Sequence, residues 1–239
     1  MLPDTELLLR LENETLRAIQ KIDPFPALAP EIYGSATRAL NGMQRKTRGR
    51  VVDFHTSMIM DLGMGYIGSQ SPVRRVDLGA CVDIGKDGVT NSSYQLTICL
   101  DPSLPSPILR KVHFDFEHPG ESNTRDRKPI YHMQVGGKLG KHLENQGYRR
   151  IDLEIMHPWC EKPRIPSFPP SLALLLHWFL LEFRGNQLVM DVLNTPEWKS
   201  LVRKVEREYL GPIVTQFGRK LTAADDAGFL RNHFYAIAT

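Results

Sequence analysis

The chain of 239 residues has only three cysteines, Cys81, Cys99 and Cys160, widely spaced and without a CxxC pair. That argues against a disulfide framework or a structural zinc site and fits a reducing compartment. No apolar run reaches the roughly 20 residues needed to span a bilayer. The most apolar stretch, Leu172 to Leu181, is interrupted by His177 and ends at Glu182, which reads as a buried helix. The opening residues, Met1 to Glu6, show no basic leader ahead of an apolar core, so no signal peptide is expected and a cytoplasmic location is. A surplus of one charge is also missing. Against 27 Asp and Glu stand 30 Lys and Arg, a net +3 too even to mark a nucleic-acid binder by composition alone. Low-complexity tracts, internal repeats and the HExxH, Walker A and GxSxG patterns are absent as well.

What is present is the composition of an ordinary globular chain, 41% hydrophobic and 24% charged, with a clear change of periodicity along its length. Leu7, Leu8, Leu11, Leu16 and Ile19 form a helical stripe over 4–22, closed by Asp23-Pro24. A second helix is predicted from Pro30 to about Gln44. From residue 50 to 156 the apolar residues instead recur at every second position. Val52, Phe54, Met58, Met60 and Leu62 share one parity, as do Val76, Leu78, Ala80, Val82 and Ile84. Tyr94, Leu96, Ile98 and Leu100 repeat the pattern, followed by Val112, Phe114 and Phe116. Such alternation predicts half-buried antiparallel strands, with turns at Gly85–Gly88, Asp101–Pro107 and Pro119-Gly120 and further strands near 129–136 and 150–156. The five prolines between Pro158 and Pro170 predict a partly extended crossing segment. Helical patterns follow at 170–185, at 196–210 with a break at Gly211-Pro212 and a continuation to about 220, and at 223–235. The expected fold is α+β: one domain over 1–239, with N-terminal helices in 1–45, a sheet of about six strands in 49–156 and C-terminal helices in 169–235.

The chemistry concentrates on two of these strands. Val112, Phe114 and Phe116 point one way, leaving Lys111, His113, Asp115 and Glu117 on the other face. In the later strand Tyr131, Met133 and Val135 are the more apolar set, leaving His132 and Gln134 opposite. Matching the apolar faces across a hairpin forces odd residues to pair with even ones. Pairing 113 with 134 and 115 with 132 gathers His113, Asp115, His132 and Gln134 into a quartet, with neighbouring Cβ atoms about 5 Å apart. A solvated polar face is the plainer explanation, although such faces favour Lys, Glu and Thr over His, Asp and Gln.

Two imidazoles can act as base and acid, with the carboxylate orienting one of them and Gln134 or nearby cations contacting phosphate. Arg110, Lys111, Arg125, Arg127, Lys128 and Lys138 lie in or near this hairpin. The same His-x-Asp and His set also has the composition of a two-His, one-carboxylate metal site. His55, flanked by Asp53 and Ser57, adds a third histidine on a polar face at an unplaced position. Arg45, Lys46, Arg48 and Arg50 form the densest basic run, joined by Arg74 and Arg75, and offer phosphate contacts or merely a solvated helix end. Gly63, Gly65 and Gly68 match GxGxxG, but another strand follows where a dinucleotide fold needs a helix, so a glycine-rich turn is expected. His177 and Trp178 fall inside the buried helical pattern and read as core. The cofactor, if there is one, is unknown at this level.

The segments Val112-His-Phe-Asp-Phe-Glu117, Tyr131-His-Met-Gln-Val-Gly-Gly137 and Pro163-Arg-Ile-Pro-Ser-Phe-Pro-Pro-Ser-Leu172 together resemble a family of uncharacterised prokaryotic proteins, over roughly residues 110–185. The resemblance implies a bacterial or archaeal cytoplasmic protein encoded in variable genomic regions, often beside defence or toxin–antitoxin genes. It carries over no catalytic residue.

Three functional expectations follow. The first is a component of a prokaryotic defence or toxin–antitoxin-like system that acts on or binds nucleic acid. Its sharpest form is a metal-independent ribonuclease using His113, His132, Asp115 and Gln134, with Arg45, Lys46, Arg48, Arg50 and Lys111 as nucleic-acid contacts. The second is a non-catalytic interaction module or regulatory subunit that docks a partner encoded nearby or a second copy, with Met58, Met60 and Met64 as interface candidates. The third is a metal enzyme at His113, Asp115 and His132. Whether the chain is an enzyme at all stays open at this level.

Overall fold

Asp4 starts the first helix, its carboxylate accepting the Leu7 N–H at 3.0 Å. The computed structural model describes residues 4–45, 48–61, 73–99, 108–117, 131–135, 164–167 and 170–215. Helix α1 (Thr5–Lys21) buries Leu8, Leu11, Leu16 and Ile19, the stripe read from sequence. Pro24 and Pro30 each stand at a helix start, opening α2 (Pro24–Leu28) and α3 (Pro30–Met43). The short α2 was not foreseen, because Asp23-Pro24 reads as a stop and five residues give no period. Its Phe25 is fully buried edge-on against Trp198, with centroids 5.3 Å apart.

Six strands form one antiparallel sheet in sequence order: β1 (Gly49–Asp61), β2 (Val73–Ile84), β3 (Val89–Cys99), β4 (Ile108–Glu117), β5 (Tyr131–Val135) and β6 (Arg164–Pro166). Gly88, at φ 122°, closes the β2–β3 turn, where Gly85 N–H donates to Gly88 O at 2.8 Å. The alternation places Val52, Phe54, Met58, Val76, Leu78, Val82, Tyr94, Leu96 and Ile98 in one buried layer. Met58 therefore belongs to the core and offers no interface, since its parity on β1 faces the helices. The sixth strand corrects the sequence reading. It lies within the proline-rich segment, pairing Met133 with Ile165, at an edge position where Pro166 is tolerated. The strand expected at 150–156 and the helix expected at 223–235 fall outside the described residues, as does the glycine motif at 63–68.

Past β6, Ser171 caps α4 (Leu172–Glu182), followed by α5 (Gln187–Asn194) and α6 (Pro196–Val205). Helix α5 was missed, its eight residues being too few for a convincing period. Helix α4 is the buried apolar run, and no helix among the described residues is long and apolar enough to cross a membrane. The expected break at Gly211-Pro212 is instead a widened π turn over Glu206–Leu210, with helix again at 211–215. A proline lacks an N–H and crowds the carbonyl four residues back, and a wider turn just before it relieves both. The helices cover one face of the sheet: α3 packs on β1, α4 on β3, and α1 joins α3, α4 and α6.

One carboxyl side chain enters this apolar layer, beside the small hydroxyls of Thr15, Thr56 and Ser92. Glu12 of α1 is 0% exposed, and its Oε1 accepts from Tyr94 Oη and from Leu172 N–H, both at 2.9 Å. It thereby ties α1 to the sheet and to the first turn of α4, while Oε2 has no hydrogen-bond partner among the described residues. Burial outweighs the two donors and pushes the Glu12 carboxyl up to about 7 from an ordinary 4.5. The folded chain thus keeps a proton that the unfolded chain releases near pH 4.5, so stability falls as pH rises from about 4.5 to about 7. The total loss is about 3 kcal/mol. Glu12→Gln keeps the accepting oxygen and removes this titration. Thermal melts should show the variant several degrees more stable than wild type at pH 8, with a flatter profile between pH 5 and 7. Parallel profiles for the two proteins would count against the assignment.

Candidate functional site

On β4, Val112 and Phe116 are buried toward the helices, and Phe114 meets Trp178 of α4 edge-on at 6.2 Å. On β5, Tyr131 packs on Phe116, with centroids 5.1 Å apart. These contacts hold the apolar pairs Val112–Val135, Phe114–Met133 and Phe116–Tyr131 in register. The remaining pairs are then His113–Gln134 and Asp115–His132, the pairing that matching of apolar faces had required.

The quartet is a compact and largely buried cluster. His113, His132 and Gln134 are 8%, 2% and 5% exposed, too little for a solvated face. His113 Nε2 lies 3.0 Å from Asp115 Oδ2, and His132 Nε2 lies 3.6 Å from the same oxygen. The two rings stand nearly perpendicular, with centroids 6.4 Å apart. One donor atom from each of His113, Asp115 and His132 can be chosen so that all lie within 4.8 Å of one another. Burial alone would raise the Asp115 carboxyl, but hydrogen bonds from His113 and Ser93 and the neighbouring imidazoles hold it below its usual range. The group is therefore a carboxylate, able to accept hydrogen bonds or to ligate a cation.

The sheet order places the cluster within a wider polar face. One rung runs His55, Gly79, Gln95, His113, Gln134 across β1 to β5. The next runs Asp53, Cys81, Ser93, Asp115, His132. A third holds Ser57, Asp77, Thr97 and Lys111. His55 thus shares a rung with His113, three strands and about 14 Å away. Ser93 and Gln95 were overlooked in sequence. Their alternation with Tyr94 and Leu96 marks them as polar-face residues, but their nearness to the histidines depends on strand order.

The basic residues divide. Lys111 stands one rung from His113 on the same face. Arg45, Arg48 and Arg50 are exposed at the α3–β1 connection, away from the quartet, and Arg50 donates to Asp83 at 3.1 and 3.4 Å. Arg75 does not join that run. It lies toward the other end of β2, 6% exposed, donating to Asp77 at 3.4 Å and to Cys99 Sγ at 3.0 Å. Lys46, Arg125, Arg127, Lys128 and Lys138 lie outside the described residues. His177 is half-buried, at the margin of the core rather than within it; it accepts the Trp198 indole N–H at 3.3 Å, and burial lowers its pKa. Cys81 and Cys99 are free thiols that burial pushes up, which makes them poor nucleophiles.

The chain matches no protein-family model, no curated protein and no solved structure.

Because the apolar pairs set the register, Phe116→Ala should cost about 3–5 kcal/mol. It should also loosen the His113–Asp115–His132 geometry, read as faster amide exchange on β5 than on β2. Equal loss of protection on both strands would mean that Phe116 supports the core without locking the hairpin.

Proposed function

We propose that His113, Asp115 and His132 form a divalent transition-metal centre, and that the protein is a metal-dependent enzyme acting on nucleic acid in a prokaryotic defence or toxin–antitoxin-like system. The observation that carries this reading is convergence: two imidazole nitrogens and one carboxylate oxygen within 4.8 Å of one another, on two paired strands. Two His and one carboxylate suit zinc, iron or manganese and leave a coordination position for water. Ser93, hydrogen-bonded to Asp115, supplies the kind of outer support that metal ligands use. Lys111 on the adjoining rung brings positive charge to the side of the centre, which favours a phosphate-bearing substrate. The resemblance to prokaryotic proteins encoded beside defence genes points the same way.

The reaction this arrangement suits is hydrolysis of a phosphodiester. A metal held by His113, Asp115 and His132 would make a bound water acidic enough to lose a proton to solvent and attack phosphorus. The bond from phosphorus to one sugar oxygen breaks, and that oxygen takes up a proton. One observation favours a second chemistry on the same residues. The two rings stand 6.4 Å apart about a shared carboxylate, so one imidazole could deprotonate a ribose hydroxyl while the other protonates the leaving oxygen.

One set of measurements separates the two. Protein purified without chelator should carry about one metal per chain by elemental analysis, lost in His113→Ala and His132→Ala. It should cleave RNA or single-stranded DNA in a reaction that EDTA stops and metal restores. Cleavage that survives EDTA but fails in both variants selects the metal-free chemistry. No metal and no cleavage by wild type would contradict both.

A further inference from the structure

A cleft of about 290 Å³ opens where α3 runs along the free edge of β1, lined by Ser35, Arg38, Arg50, Asp53 and His55 together with small residues of α3. The Ser35 hydroxyl donates to the His55 carbonyl and fixes one wall to the other. The lining has mixed chemistry. Arg38 donates to Ser35 Oγ at 3.1 Å and has no carboxylate partner among the described residues. The charge of Arg50 is met by Asp83. Asp53 and His55 are exposed on the strand side. A fitting ligand therefore needs an anionic group for Arg38 and hydrogen-bond donors for Asp53 in one small molecule. A nucleotide has both, in its phosphate and in its sugar hydroxyls or base amines. The volume, near the low end of small-ligand pockets, suits one nucleotide and not two.

The position of the cleft matters as much as its lining. His55 heads the rung that leads through Gly79 and Gln95 to His113. A Cβ at Gly79 would stand 2.9 Å from Gln95 Nε2 and 3.1 Å from His55 Nδ1. The bare glycine thus lets the amide and the imidazole lie together over β2, making a continuous polar path from the cleft to the His–Asp–His cluster. Its length, about 14 Å over three strand spacings, is one that a short extended strand covers.

We propose that the α3–β1 cleft is a nucleotide subsite for single-stranded nucleic acid, with phosphate on Arg38 and the sugar or base on Asp53 and His55. The identity of the strand rests on the nucleic-acid reading above, whereas capture of one nucleotide in the cleft needs no catalysis. The test titrates the full chain, in chelator, with each of the four nucleoside 5′-monophosphates, with the free nucleosides, with inorganic phosphate and with a short single-stranded oligonucleotide.

At least one monophosphate should bind saturably, at least tenfold tighter than its nucleoside or phosphate alone, and the oligonucleotide tighter still. Arg38→Gln and Asp53→Asn should each weaken both by about tenfold or more. His113→Ala should leave the monophosphate unaffected. The proposal is overturned if no monophosphate binds, if both cleft variants bind as wild type does, or if His113→Ala matches Arg38→Gln. A monophosphate that binds as tightly as the oligonucleotide overturns the assignment to a strand. Nucleotide capture without nucleic-acid cleavage removes the catalytic reading and leaves the cleft, and cleavage without capture does the reverse.

Discussion

The His–Asp–His cluster depends on the register between β4 and β5. Side chains alternate with a period of two, so a slip of one residue would turn His132 and Gln134 toward the helices and Tyr131 and Met133 away from them. Phe116 against Tyr131 and Phe114 against Trp178 prevent that slip, because it would expose the aromatic face and bury unmatched polar groups. The same contacts that stabilise the hairpin therefore deliver Asp115 to His132. Fold and site share one constraint.

The two faces of the sheet handle polarity in opposite ways. Among the described residues, the helix-covered face is apolar apart from buried hydroxyls such as Thr56 and Ser92 and the carboxyl of Glu12, whose oxygen answers the Tyr94 hydroxyl and the first N–H of α4. On the other face, several polar groups meet a partner of complementary kind: Arg75 with Asp77, Ser57 with Asp77, His113 and Ser93 with Asp115. In the His–Asp–His cluster both imidazoles turn Nε2 to a single oxygen. That convergence puts two imidazole nitrogens and one carboxylate oxygen within 4.8 Å of one another.

Much of the fold and the heart of the site could be read from the sequence, for a physical reason. Alternation is a local property, so β1 to β4 and the split of His113 and Asp115 from Phe114 and Phe116 were visible in short windows. The β4–β5 register followed because only one phase matches both apolar faces. What could not be read is non-local or too short. Helices α2 and α5 span less than the window that reveals a period. The neighbours Ser93 and Gln95, the rung from His55 to His113 and the cleft at Arg38 all depend on which strands and helices adjoin. The burial of Glu12 depends on three elements that meet far apart in sequence.

The central claim is that His113 and His132 act on one shared ligand at Asp115. Side-chain nitrogen spectra of the histidines, followed while zinc is added to the full chain, address it directly. The account predicts that the Nε2 signals of His113 and His132 move together and stop at one equivalent, while those of His55 and His177 stay in place. Signals that move for all four histidines in proportion to added zinc, or for neither His113 nor His132, would contradict it.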